Sequence, residues 1–442
     1  MATMVLSGFG AAVGGPVGSA VGAMLGRQLD RRMLGTGAGG TRRRDLALQT
    51  STYGSSIPQV FGRLRIAGSI VWAAEPMATA MVIDRRSTTR YSASFAVALS
   101  SRPIKGVGRI WSGGKLLRGA GGDFKVPVRF RLHIGHEDQD IDPLIGSIER
   151  PDAAPAFRGI ALAVFEDLDL TEFGNRLPNL NFEVIADDPG TSAHGMAGEL
   201  LAGAGLKLAG ADLALTGYVA DGESRHDALA PLTGGLGFDL VPSGYVDSAA
   251  QPALLLKHQL GCSAGAGSRL ERSRGAAHSA PSRVILNYLE PEREFQTGQQ
   301  HAGSAEVGGT GLIEVPGALS ADLAKAVAET SLARAWCHRE VITVRLPLSG
   351  LSIRPGDRLI IPDQEETFEV VRSTLEAFTV RLDLRAALPT MPELRGDPGR
   401  SAHQRDQVLT PLRLALFDLP DLDGITLPHP RLVLAASCDT GV

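Results

Sequence analysis

Apolar and polar residues alternate along Phe124-Lys125-Val126-Pro127-Val128-Arg129-Phe130-Arg131-Leu132-His133-Ile134. A period of two predicts a half-buried strand, because successive strand side chains point to opposite faces. Residues 91–99 alternate in the same way. Residues 57–62 and 64–72 predict a hairpin. Residues 107–117 predict a second one, with Ser112-Gly113-Gly114 as its tight turn. Residues 159–168 read as a strand. A polar turn through Gly174-Asn175 follows, and another strand starts after Pro178. Many short strands with frequent turns predict a barrel or sandwich over residues 46–186.

The pattern then changes. Residues 193–204 and 225–233 suit helices, the second capped by Ser224, and residues 236–241 and 253–257 suit strands. Residues 187–258 therefore read as a small α/β unit. Residues 259–281, rich in Gly, Ala, Ser and Arg, predict a flexible loop. A second β region covers 282–410. Its strands fall at 283–290, 341–346, 358–361 and 365–372, the last paired with 378–384. Pro355-Gly356-Asp357 marks a turn. Helix 320–338 sits inside this region, with Ser320 as its cap and Asp322 in its first turn. Residues 411–442 form an extension of short apolar pieces broken by Pro420, Pro428 and Pro430. The stop at Val442, just after a strand-like run, points to a missing or separately encoded continuation. The expected class is mainly β with an α+β insertion, in several domains.

The first 45 residues differ from the rest. Gly10, Gly14, Gly18, Gly22 and Gly26 recur every four residues, and residues 5–26 carry no charge. On a helix these glycines form one groove suited to close packing. Each interior glycine costs about 1 kcal/mol against alanine, and Pro16 adds a break, so an isolated helix is unstable. Three readings stand: a helix packed in an assembly, a flexible arm, and a membrane-inserting segment. Arg27, Arg31, Arg32 and the run Arg42-Arg43-Arg44 follow the apolar stretch, the reverse of a secretory signal. Residues 35–45 read as a basic linker. Gly35, Gly37 and Gly40 match a dinucleotide fingerprint formally, but no strand precedes them.

A length of 442 residues implies two to four domains. A net charge of -4 gives no global field for nucleic acid. Cys262, Cys337 and Cys438 are too far apart for a zinc motif, and their odd number opposes a disulfide framework. Gly261-Cys262-Ser263-Ala264-Gly265 matches a nucleophile elbow, with His278 and His301 as conceivable bases, but loop residues follow where a helix is required. Glu137, Asp138, Asp140 and Asp142 could offer oxygens to a cation, yet the spacing lacks the EF-hand glycine and terminal glutamate. Glu166, Asp167 and Asp169 end a strand without a second carboxylate fixed opposite. No catalytic, cofactor-binding or metal-binding residue is assigned.

Several stretches resemble one family. They are MATMVLSGFGAAVGGPVGSAVGAMLGRQLDRRMLG, SIPQVFGRLRIAGSIVWA, YSASFAVALSSRPIKGVGRIWSGGKLL, AFRGIALAVFEDLDLTEFGNRLPNLNFEV, NYLEPEREFQTG, helix 320–338 and LSIRPGDRLII. Together and in this order they are similar to the hub protein of long non-contractile phage tails and gene transfer agents. The chain looks like a short relative of the large host-specificity protein of those agents. The resemblance implies a homotrimeric tail-tip ring with two β-barrel-like hub domains per chain. Such a ring presents six similar units to a six-fold tail tube. The implied partners are the distal tail ring, the tape-measure protein, other tail-tip proteins and the host membrane at the glycine helix. DNA is implied only in transit through the lumen. The implied place is the virion tail tip, after synthesis in the bacterial cytoplasm.

The largest relatives insert a glycoside-hydrolase-like barrel after the NFEV strand. Here about 70 residues separate the β regions, far below the roughly 250 a TIM barrel needs. The resemblance therefore implies a non-enzymatic hub. Two alternatives remain at this stage: a tip-associated cell-wall glycan hydrolase using Ser263 or Glu166, and a membrane-inserting pore component using Gly14, Gly18 and Gly22.

Overall fold

The computed structural model describes residues 56–83, 86–150, 153–188, 190–244, 254–255, 270–304, 309–361, 366–376, 378–388, 391–400, 406, 412–419 and 431–438. The glycine series Gly10 to Gly26, the Arg42-Arg43-Arg44 run and the Gly261–Gly265 motif lie outside these residues.

The first half of the chain is a sandwich. Its strands are β1 (Gln59–Ala67), β2 (Ser69–Ala73), β3 (Met77–Ile83), β4 (Arg86–Ser100), β5 (Gly106–Ser112), β6 (Lys115–Arg118), β7 (Arg129–His133), β8 (Ala161–Asp169) and β9 (Leu180–Ile185). One sheet has the order β2-β4-β8-β7, with β3 also on β4. The facing layer is β1-β9-β5-β6. Alternation puts Leu64 and Ile66, Phe95 and Val97, Ala163 and Phe165, and Phe182 and Val184 into one core. Phe165 stacks on Phe95 at 5.1 Å and meets Phe182 at 6.0 Å. A short helix, α1 (Pro143–Ile148), covers the outer face of β4 and β8 through Ile145.

The expected hairpin over 57–72 does not form. β2 pairs with β4, and β1 pairs elsewhere. The chain changes sheets at Gly68, where a Cβ would stand 2.3 Å from Val97 Cγ1 and 2.7 Å from Ala98 O. The two strands around Gly174-Asn175 also part company. β8 joins one sheet and β9 the facing one, and the link turns through left-handed Gly174 (φ 64°) and Asn175 (φ 58°). The Ser112-Gly113-Gly114 hairpin forms as expected, with Ser112 opposite Lys115.

The next elements are β10 (Thr191–Ser192), α2 (Ala193–Leu200), β11 (Leu206–Ala209), β12 (Ala214–Leu215), β13 (Gly217–Ala220), α3 (Arg225–Ala230), β14 (Asp239–Pro242), β15 (Leu254–Leu255) and β16 (Leu270–Arg274). β17 (Pro281–Glu290), β18 (Gln296–Gly303), β19 (Gly309–Ala318) and α4 (Ala321–Cys337) follow. Ser224 Oγ caps α3 by accepting from Asp227 N at 3.2 Å. Ser320 Oγ caps α4 by accepting from Leu323 N at 3.3 Å. Part of the expected loop 259–281 is strand β16, whose Glu271 meets Arg345 on the next strand in the sheet at 2.8 Å.

β1 joins the two halves of the molecule. Gln59–Gly62 pairs with β13, and Arg63–Ala67 pairs with β9. The result is a single sheet with the order β18-β17-β19-β13-β1-β9-β5-β6. It runs across the boundaries at 187 and 282, so three expected segments share one ladder. Val60 belongs to the sandwich core, whereas Phe61 belongs to a second core with Tyr218, Leu286, Tyr288 and Val327. At the changeover Gly62 has φ 66°, and a Cβ there would lie 2.3 Å from Thr216 O.

The third module contains β20 (Glu340–Leu346), β21 (Arg358–Ile360), β22 (Thr367–Glu376) and β23 (Thr379–Ala386). Its sheet order is β15-β21-β22-β23-β20-β16, around Ile342, Val344, Phe368, Val380 and Leu382. An irregular strap then runs back over the molecule. Gly396 N donates to Asp322 Oδ1 at 2.7 Å, and Asp397 O accepts from Gln300 Nε2 at 2.7 Å. Asp406 takes Lys125 Nζ at 2.9 Å and Ala120 N at 3.0 Å. Beyond it, β24 (Leu412–Leu419) and β25 (Arg431–Cys438) form a hairpin. The fold is mainly β with several sheets. All of them stay open, and the barrel-like closure expected of the two β regions does not occur among the described strands.

Gly62→Ala should lower unfolding free energy by roughly 3 kcal/mol, because the methyl meets backbone in a left-handed residue. Gly113→Ala, also left-handed but with nothing within 4 Å of its Cβ position, should lose about 1 kcal/mol. Denaturant unfolding of both variants checks the contrast.

Candidate functional site

The most developed polar site lies on the side of β1, β9 and β5 turned away from the sandwich core. Alternation along Asn181-Phe182-Glu183-Val184 that sends the aromatic and valine inward sends Glu183 outward. Glu183 is nonetheless buried, at 1% exposure. Its Oε1 accepts from Arg63 Nε at 2.9 Å and Nη2 at 2.5 Å. Its Oε2 accepts from Arg109 Nε at 2.9 Å and Arg109 N at 3.1 Å. Gly108 leaves the room, since a Cβ there would stand 2.7 Å from that oxygen. Burial opposes the charge, but the side chain and backbone of Arg109, and then Arg63, outweigh it. The Glu183 carboxyl is held below the usual carboxylate range.

Arg109 reaches further and gives Nη1 to Glu294 Oε1 at 2.9 Å. Glu294 lies in the turn between β17 and β18, so this contact ties that hairpin to β5. Glu294 and Phe295 are consecutive left-handed residues (φ 55° and 57°), and the turn closes through Phe295 N to Glu290 O at 2.9 Å. Phe295 inserts into the sandwich core. Arg65 lies over the Trp111 ring at 4.0 Å and Arg109 at 5.0 Å. Burial lowers the Arg65 pKa, with Arg109 adding to the effect against Glu294 and Glu183.

A second network holds Asp142, the last carboxylate of the acidic run, whereas Glu137, Asp138 and Asp140 are exposed. Asp142, 2% exposed, accepts from Arg131 Nε at 2.8 Å and Nη2 at 3.0 Å, and caps α1 by accepting from Leu144 N at 2.9 Å. His133 Nε2 is 2.8 Å away. Burial raises the Asp142 pKa, but Arg131, His133 and the Leu144 amide bring it to about 2. Gln139 is buried and spans the same turn, accepting from Gly135 N at 2.9 Å and donating to Ala156 O at 3.0 Å. Glu166 is held by Arg131 at 2.6 Å and Arg129 at 2.7 Å, and Asp169 by Arg90 at 2.6 Å. Asp167 has a left-handed backbone (φ 58°) and donates its N to Ser94 Oγ.

These placements favour fixed geometry over proton transfer. Glu183, Glu166 and Asp142 each carry at least one arginine, so none is poised near neutral pH. Among the described residues no group of three or more His, Cys, Asp or Glu could hold a metal ion. No described helix is long and apolar enough to cross a membrane. His278 and His301 are exposed, on a short 3-10 turn and on β18. Glu183 and its arginines are not singled out by the patterns of the sequence. The available signal was a lone carboxylate inside the apolar run Leu180–Ile185, opposite the Arg63-x-Arg65 pattern. The strand expected over 378–384 starts at Phe378. Phe378 instead stands at the β22–β23 tip, 83% exposed and left-handed (φ 61°).

Residues 225–373 match a family described as putative phage tail protein. The overall fold is similar to that of a chain in the virion of a native gene transfer agent particle. The TM-score is 0.64 at 24% identity, over 90% of this chain and 99% of that one. A tail protein from Neisseria meningitidis MC58 is similar at 14% identity over 71% of this chain and 97% of that one, with a TM-score of 0.32. The 43 kDa tail protein of prophage MuSo2 from Shewanella oneidensis is similar at 10% identity over 73% and 100%, with a TM-score of 0.27. No curated protein matches in sequence. The chain thus has the fold of the gene transfer agent chain.

Glu183→Ala leaves the Arg109 amide and side chain without their buried acceptor, while Arg63 is half exposed and Arg109 keeps Glu294; it should cost about 1–3 kcal/mol of stability, read as a drop in the urea midpoint. Asp142 gives a pH signature. It titrates at about 2 in the fold against an ordinary 3.8, so the unfolded chain takes up this proton first as pH falls. Its stabilisation is full above about pH 4 and disappears towards about pH 2. Asp142→Asn should flatten the curve of unfolding free energy against pH across that window.

Proposed function

We propose that this protein is a non-enzymatic structural component of a phage-like tail, acting as the hub of the tail tip. Three copies form a ring. Each supplies two β-built regions, so the ring offers six similar surfaces to a six-fold tail tube and three-fold symmetry to the tip. The distal tail ring binds one side, other tip proteins bind the other, and the tape-measure protein and DNA pass through the centre. The glycine series Gly10, Gly14, Gly18, Gly22 and Gly26 contacts the tape measure or the host membrane near the axis.

The observation that supports this reading is the fold shared with a gene transfer agent virion chain over 90% of the present chain. The phage-tail family match over residues 225–373 supports it independently. The polar networks agree in kind. The chain from Glu183 through Arg109 to Glu294 ties β9 and β5 to the β17–β18 turn, a fixed geometry that fits a structural role.

Particles produced without this chain should carry tails that lack tips and should deliver no DNA. Supplying the intact chain should restore both, whereas Gly18→Leu should restore neither tip assembly nor delivery in full. Electron microscopy and a transfer assay read the two outcomes. Normal tips and delivery in its absence would remove the proposal.

A further inference from the structure

We infer that one end of the third module inserts into an anionic lipid surface through Leu348, Leu351, Leu375 and Phe378. This contact is separate from the glycine series and does not depend on the ring.

Strand register brings the four residues together. Leu346 at the end of β20 stands opposite Val380 of β23, and Val380 stands opposite Leu375 of β22. Leu346 and Val380 belong to the core of the module, but Leu375 is 55% exposed, so the apolar row leaves the core at this end. Phe378, in the turn just before β23, is 83% exposed. The 3-10 turn Leu348–Ser352 follows β20 and lies against β23. It folds back on Leu346, so that a Cβ at Gly350 would stand 2.9 Å from the Leu346 Cβ. Leu348 and Leu351 on this turn are 47% and 58% exposed. Two turns from different parts of the chain thus present four large apolar side chains at one end of the sheet. Clustered apolar exposure of this kind marks a contact site.

The charge pattern selects lipid as the occupant. Residues 345–354 read RLPLSGLSIR, and residues 372–381 read RSTLEAFTVR. Each apolar turn is bracketed by arginines. Between the brackets Glu376 is the one ionisable residue, and the other polar side chains are serine and threonine hydroxyls. Arg345 is paired with Glu271 at 2.8 Å, and Arg381 with Asp383 at 3.3 Å and Glu376 at 3.7 Å. Arg354 and Arg372 are exposed, and neither guanidinium pairs with a carboxylate among the described residues. The turn that carries Arg354 is tied to β22 beside Arg372, through Gly356 N donating to Val370 O at 2.7 Å. From Arg372 to Leu375 the strand advances about 10 Å. Apolar side chains at a bilayer interface enter by about 5–10 Å, while arginines behind them reach the phosphates on long stems. An apolar apex with unpaired arginines at that depth is complementary, in polarity and in charge, to a phosphate layer over acyl chains.

The full chain, purified, is tested with vesicles of equal parts phosphatidylglycerol and phosphatidylcholine, and with pure phosphatidylcholine. In a chain with Cys262→Ser, Cys337→Ser and Cys438→Ser, an environment-sensitive fluorophore on Leu375→Cys should brighten and shift to the blue on the anionic vesicles. The same label on Ala204→Cys, an exposed turn elsewhere, should not respond. In co-sedimentation, Phe378→Asp and Leu351→Asp should each weaken binding to the anionic vesicles by at least about tenfold. Arg354→Gln and Arg372→Gln should lose about fivefold per arginine, on anionic vesicles only. Glu376→Gln should bind more tightly. All of these side chains are exposed, so the melting midpoints should match the parent. A label at 375 that ignores the vesicles overturns the inference, and so does a Phe378→Asp chain that binds them like the parent. Equal binding of the parent to pure phosphatidylcholine overturns the assignment to anionic lipid. A silent label, together with loss of tip assembly in Phe378→Asp particles, overturns it in favour of a protein partner. None of these outcomes bears on the ring reading.

Discussion

β1 has to satisfy two neighbours along one strand, and the rest of the molecule is arranged around that requirement. Its first four residues pair with β13 and the remainder with β9. Backbone groups inside a protein must find partners, so a strand that outlasts one neighbour must meet another. Gly62 makes the changeover possible, because the Thr216 carbonyl occupies the space any side chain would take. Val60 and Phe61, adjacent in sequence, then feed two different cores. The sandwich and the α/β part are joined by a continuous hydrogen-bonded sheet.

The charged networks reinforce the same junction. Glu183 holds Arg63 of β1 and Arg109 of β5, and Arg109 passes the connection to Glu294 on the far hairpin. Arg102 plays a similar part, reaching Asp187 and Glu199 while lying 4.5 Å from the centre of the Phe61 ring. Buried ion pairs seldom add much net stability, because desolvation offsets their attraction. They do penalise any arrangement that leaves one partner alone. Their value here is in fixing how the modules meet.

Two kinds of exposed apolar feature stand apart from this interior order. The β22–β23 tip displays Leu375 and Phe378, and the last hairpin displays Leu416 and Phe417. Single exposed apolar residues are common. A phenylalanine that is both left-handed and 83% exposed buries little of its ring in return for the strain. The contrast with Phe295 is instructive. That residue has nearly the same φ, but its ring is buried in the sandwich core.

The sequence alone determined what depends on a few neighbouring residues. Gly113 and Gly114 set the tight turn, Ser224 and Ser320 capped their helices, and alternation marked the strands of the third module. Each of these is decided by local sterics or one short hydrogen bond. Tertiary structure alone decided which strands became partners. Residues 57–72 had the pattern of a hairpin, yet Gly68 sent the second strand to another sheet. Residues 270–274 had the composition of a loop, yet a neighbouring strand completed their hydrogen bonds. Glu183, which alternation places on the outer face of its strand, is buried because arginines from two other strands close over it. Pairing and burial depend on groups distant in the chain, and a local pattern carries no record of which distant group arrives.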